Sequence, residues 1–147
     1  MFSSNNLLIY SMLTALVAIA GLQDFRKGEV DNWLTIPLFL LGLGGTLFQL
    51  YSGQTVGWLS ALVIASLTLA ACKGWMGGAD WKTLVGLFGL WPLAGLAALV
   101  TAGGWGGLSI LRTGERNARF PGVSAFALGV ALTFIAQLSI MTFSTKV

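Results

Sequence analysis

Two aspartates, Asp24 and Asp80, are the residues here whose type and setting invite chemistry. Each stands where an apolar stretch breaks, at Asp24-Phe25-Arg26-Lys27 and in Gly77-Gly78-Ala79-Asp80-Trp81-Lys82. An ionised carboxylate at membrane depth costs about 2.5–3.5 kcal/mol even on lenient insertion scales, so such a residue implies a function. When two carboxyls share a site, both cannot be charged cheaply, and one keeps its proton near working pH. The ionised member can then take a proton from water attacking a peptide carbonyl, while the protonated member donates to the carbonyl oxygen or the leaving amine. Neither a metal nor a cofactor is needed. The chain has no His and a single cysteine, Cys72, which leaves no Cys/His zinc cluster and no internal disulfide to expect.

The surroundings of Asp80 suit this role. Gly77 and Gly78 permit tight backbone turns beside a substrate. A helix starting at Asp80 would turn its positive end toward the carboxylate, and Lys82 adds a cation nearby. Both favour an ionised Asp80 and make Asp24 the expected proton holder, although the titration belongs to the pair.

The elements that must carry these residues are membrane helices. Of the 147 residues 56% are hydrophobic and 9% charged, with mean hydropathy +0.83, against roughly a quarter charged in soluble domains. The apolar blocks run the whole length, which predicts one membrane domain over residues 1–147. The net charge of +3 does not indicate nucleic acid, because seven of the eight Lys and Arg fall in three short loops. That is how loops on the cytoplasmic side are marked. Residues 1–6 hold no basic side chain ahead of the first apolar run, so that run is expected to be a retained span and not a cleaved signal.

Six apolar blocks follow one another, at residues 7–23, 33–51, 58–72, 80–90, 91–111 and 121–143. About 20 residues cross a bilayer core, so the fourth block cannot cross upright. It predicts a short or partly embedded helix and a turn near Trp91-Pro92. Pro37 lies in the first turn or two of the second block, where missing amide donors cost little. Alternating six spans puts the loops with Arg26 and Lys27, with Lys73 and Lys82, and with Arg112, Arg116 and Arg119 all on one side. The expected fold class is therefore all-α and polytopic, about six transmembrane helices with both termini non-cytoplasmic. Asp24 and Asp80 then lie at one membrane face. The six Trp residues sit mostly near block ends as interface anchors. Gly103, Gly104, Gly106 and Gly107 predict a close helix approach or a kink. Cys72 reads as a small packing residue.

At these motifs the sequence resembles the prepilin peptidase family of GxGD-type intramembrane aspartyl proteases. Gly77-Gly78-Ala79-Asp80-Trp81-Lys82 is similar to that family's G-x-G-D-x-K signature, with Ala79 in place of the second glycine. Asp24-Phe25-Arg26 and Val30-Asp31-Asn32-Trp33-Leu34-Thr35 resemble its D-x-R and I-P-N-x-x-T segments, with Asp31 where proline usually precedes the asparagine. Phe120-Pro121-Gly122, with residues 125–129 behind it, is a weaker likeness at the last helix. The resemblance implies a catalytic pair of Asp24 and Asp80, supported by Gly77, Gly78 and Lys82. The implied substrate is a prepilin or pseudopilin, with a short basic leader, a Gly at the cleavage site and a hydrophobic helix after it, cut at the cytoplasmic face of the cell membrane. The chain is similar to the compact, peptidase-only members that lack the cysteine-rich methyltransferase region. Membrane lipid is the other expected partner, and nucleic acid is not one.

Each residue also has a plainer reading. Asp24 is an ordinary juxtamembrane charge if it pairs with Arg26 or Lys27, and Asp80 is an N-cap. Lys82 follows the charge bias of its loop, and the arginine cluster touches anionic head groups. Glu29 and Asp31 are solvated loop charges unless they engage a basic leader. The competing function is a membrane scaffold or pilus assembly subunit. A proton-coupled transporter would place its acids nearer mid-membrane.

Overall fold

The computed structural model describes residues 4–114 and 122–144 and holds six α-helices among them: α1 (Ser4–Lys27), α2 (Asn32–Tyr51), α3 (Thr55–Cys72), α4 (Gly78–Leu90), α5 (Pro92–Thr113) and α6 (Gly122–Ser144). Arg116, Arg119, Phe120 and Pro121 lie outside the described residues. All helices except α4 are long and apolar enough to cross a membrane, and the chain is a polytopic helical membrane protein. α4, at 13 residues, is the short helix that its apolar block predicts.

Two groups of helices make the bundle. α4 packs chiefly on α2, with α3 beside both, while α1 and α5 pack chiefly on α6. Glycine sets the first seam. A Cβ on Gly42 would lie 2.4 Å from Gly86 Cα, and one on Gly89 would lie 1.8 Å from the Gly42 carbonyl oxygen, so the α2 and α4 backbones are in direct contact. Small residues permit such crossings where apolar burial drives little helix association. On the other side a Cβ on Gly129 of α6 would meet Ala97 and Thr101 of α5 at 2.7 Å.

Because α4 is short, its C-terminus ends inside the protein, where backbone carbonyls require partners. Gln49 Nε2 donates to the Gly89 carbonyl at 3.0 Å and Ser60 Oγ to the Phe88 carbonyl at 3.0 Å. The chain turns at Trp91, and Pro92 opens α5, where its missing amide has no helical acceptor to lose.

Several expectations need correction. α1 runs past residue 23 to Lys27 and carries Asp24 inside the helix. Hydropathy marks where apolar contact ends, whereas the helix continues until Gly28 (φ +70°) closes it, its backbone N–H donating to the Asp24 carbonyl. Pro37 sits in the second turn of α2, as expected. Trp91 is core, 2% exposed and stacked on Tyr10 at 4.3 Å, because the block it ends stops within the bundle. Gly103, Gly104 and Gly107 face open space, so no helix among the described residues uses them for close approach. Cys72 is exposed.

Candidate active site

The site is assembled at the bundle end that carries Arg26, Lys27, Lys73, Lys82 and Arg112, and three helix ends build it. α1 brings Asp24, which is 8% exposed. One turn earlier a Cβ on Gly21 would lie 2.8 Å from Ala127 Cβ and 3.3 Å from Ser124 Cα, so α1 and α6 cross closely just below Asp24. Ser124 Oγ donates to the Gly21 carbonyl at 2.7 Å, and the Ser124 amide donates to Asp24 Oδ2 at 3.2 Å.

α4 brings Asp80. After α3 ends, Gly74 turns the chain at φ +73°, a conformation side chains rarely adopt, and Gly77 is the N-cap of α4. Asp80 is therefore in the first helical turn and not at the cap. Its carboxyl lies against Gly122, the first residue of α6: a Cβ there would stand 2.6 Å from Oδ1, 2.9 Å from Cγ and 3.0 Å from Oδ2. The glycine-tight seam of α4 on α2 begins two turns further on and fixes the direction in which Asp80 points.

The first turn of α6 thus touches both carboxyls, Asp80 at Gly122 and Asp24 at Ser124. No hydrogen bond joins the two carboxyls among the described residues. They still act on each other electrically. Burial first, and then the charge of Asp24, raise the Asp80 carboxyl from 3.8 to about 6. This runs against the expectation that its surroundings favour an ionised Asp80. Lys82 does not offset the burial, because its Nζ donates to Asn32 Oδ1 at 2.7 Å, at the start of α2.

The other expected residues are also placed. A Cβ on Gly77 would approach Asp80 Oδ2 at 3.2 Å, so this glycine borders the site, whereas Gly78 faces open space. Ala79 is helical with ordinary negative φ, so a glycine is not required there. Asp31, at the N-cap of α2, does not cap that helix with its side chain. Instead Gln23 clasps it: Gln23 Oε1 accepts the Asp31 amide at 3.1 Å, and Gln23 Nε2 donates to Asp31 Oδ2. Gln23 and Ser124 were not singled out from sequence, since a lone polar residue in an apolar block carries no motif. Among the described residues no group of His, Cys, Asp and Glu could hold a metal ion.

Fold and site together define a class, a multi-pass helical membrane protein in which carboxyls from two separate helices converge on the start of a third at one end of the bundle. Residues 11–143 match the type IV leader peptidase family, and the chain belongs to that family. Over 82 residues it is 35% identical to a protein named preflagellin peptidase from Methanococcus maripaludis (strain C6 / ATCC BAA-1332). That alignment takes in 50% of this chain and 34% of the relative, so the match spans about a third of that protein's length. No solved structure matches the chain.

Proposed function

We propose that this protein is an intramembrane aspartyl endopeptidase that removes the short basic leader of prepilin-like substrates, with Asp24 and Asp80 as its catalytic pair. The observation that carries this reading is the convergence of both carboxyls on the first turn of α6, from helices that belong to different halves of the bundle. Family membership supports peptide hydrolysis, and the basic end of the bundle supports cleavage at the cytoplasmic face, with both termini on the other side of the inner membrane. Residues 1–147 act as one membrane domain. Gly77 and Lys82 support the site through Asp80 and Asn32, and Gly78 keeps its outer edge open to substrate.

In this reading Asp24 is the general base and Asp80 the general acid. The Ser124 amide donates to Asp24 Oδ2 and holds that oxygen in place. As water attacks the carbonyl carbon of the scissile peptide, Asp24 takes one of its protons and Asp80 gives its proton to the carbonyl oxygen. The tetrahedral diol then collapses: Asp24 passes its proton to the leaving nitrogen, the C–N bond breaks, and Asp80 recovers a proton from the hydroxyl. Both groups finish as they began. The hydrophobic helix after the cleavage site stays in the bilayer, which presents the scissile bond at the depth of the pair.

A scaffold would neutralise its buried acids with Lys or Arg, and among the described residues neither aspartate has such a partner. The test is co-expression with a prepilin from the same genome, following the leader by mass spectrometry. Wild type is expected to cut after Gly while Asp24→Asn and Asp80→Asn do not. Cleavage surviving in both variants would end the reading.

A further inference from the structure

We propose that Gly122 and Ser124, in the first turn of α6, are positioning residues that make a pair of the two aspartates: the Ser124 amide orients Asp24, and the bare Cα of Gly122 leaves the space that the Asp80 carboxyl occupies. The proposal rests on the peptidase reading above. It follows from how the bundle is divided. Asp24 rides on α1, which packs chiefly on α6, and Asp80 rides on α4, which packs chiefly on α2. Neither aspartate bonds to the other, so their separation is set by whatever both touch.

What both touch is α6. Ser124 is its third residue, and an amide in the first turn has no acceptor within the helix. That free N–H is given to Asp24 Oδ2 at 3.2 Å, and the hydroxyl of the same residue ties α6 to α1 through the Gly21 carbonyl at 2.7 Å. Two residues earlier Gly122 is buried, and any side chain there would overlap Asp80, whose Oδ1 would be 2.6 Å from the new Cβ. Oxygen and carbon do not approach that closely without displacement, so a methyl group at 122 displaces the Asp80 carboxyl from its place beside α6. A misplacement on the order of 1 Å in a catalytic group costs about 100-fold in rate. Ser124 contributes through its backbone, so its identity matters less than its amide.

Purified wild type, Gly122→Ala, Ser124→Ala and Ser124→Pro in nanodiscs test this with a prepilin substrate, taking kcat and KM separately. Gly122→Ala is expected to lose about 100-fold in kcat with KM unchanged. Ser124→Ala keeps the amide and is expected to keep most of kcat. Ser124→Pro, which removes the amide without breaking an intrahelical bond, is expected to fall well below Ser124→Ala. Gly122→Ala that folds and turns over like wild type overturns the proposal. If Gly122→Ala does not fold, Gly122→Ala/Asp80→Ala, which removes the overlap, is expected to restore the bundle, and failure to do so also overturns it.

A readout independent of turnover separates this proposal from the peptidase reading. At a pH below about 6, the value Asp80 carries, the protonated carboxyl has an infrared C=O band that Asp80→Asn identifies. Gly122→Ala is expected to shift that band. An unshifted band counts against the positioning role even if no substrate is ever cut, and a shifted band with uncut substrate rejects only the peptidase reading.

Discussion

The two halves of the bundle hold their aspartates in different ways. On one side α4 is clamped: its backbone touches α2 at Gly42, Gly86 and Gly89, its last carbonyls are taken by Gln49 and Ser60, and Trp81 Nε1 donates to Thr68 of α3 at 3.1 Å. On the other side α1 is joined to α6 by small-residue contact and by Ser124, and α6 to α5 by the bond of Thr101 Oγ1 to the Ala125 carbonyl at 2.8 Å. Asp80 therefore sits on a rigid short helix with polar anchors at both ends. Asp24 depends on where α6 begins. The lesson is that the helix too short to span takes side-chain donors from α2 and α3 at the end that would otherwise be unpaired within the bundle.

The contrast is broken most severely at the α2–α4 seam. Gly89→Leu puts a side chain where the Gly42 carbonyl oxygen stands, and overpacking against backbone has no rotamer escape. The variant is expected not to fold, as size-exclusion profiles in detergent would report. A folded Gly89→Leu would show that the seam is not the rigid half.

Gln49→Ala leaves the Gly89 carbonyl without its side-chain donor and should cost about 1–3 kcal/mol in reversible unfolding. Ser124→Ala, on the other half, removes a second donor from the Gly21 carbonyl, which lies within α1 and keeps its helical amide, and should cost less.

Asp80→Asn sharpens the comparison by its sign. The Asp80 carboxyl is raised from 3.8 to about 6 in the fold, so an ionised Asp80 opposes folding. Stability is thus lost as pH rises from about 4 through about 6 and not regained above. Asn removes that penalty. The variant is expected to melt above wild type at neutral pH, and the gain should vanish as pH falls below about 4, where Asp80 is protonated folded or unfolded. For a proposed catalytic group, being held against stability is an expected trade.

The smallest effect is expected in α5. Gly107 faces open space among the described residues, so Gly107→Ala should be neutral or gain up to about 1 kcal/mol from helix propensity.

Much of this was legible from residues alone. The apolar blocks, the shortness of the fourth, the turn at Trp91-Pro92 and the convergence of Asp24 with Asp80 all followed from hydropathy, charge placement and motif. What was hidden was relational. Gly42, Gly86 and Gly89 look no different in sequence from Gly103, Gly104 and Gly107, yet only the first set meets a neighbour, because spacing defines a face and not its partner. Trp91 ends an apolar block as an anchor would, but that block stops inside the bundle beside an apolar cavity of about 590 Å³. The Asp80 carboxyl is raised by burial first, and that burial depends on α6, distant in sequence. Ser124 acts through an amide that every residue possesses.

If Asp24 and Asp80 form one unit, their losses are non-additive. Purified wild type, Asp24→Asn, Asp80→Asn and the double variant would be compared for kcat on one prepilin substrate. Residues that act as a unit lose nearly everything when either is removed. Each single variant is expected to fall to the same floor as the double. A double variant far slower than either single one would mean that the carboxyls contribute separately, and the pair would have to be abandoned.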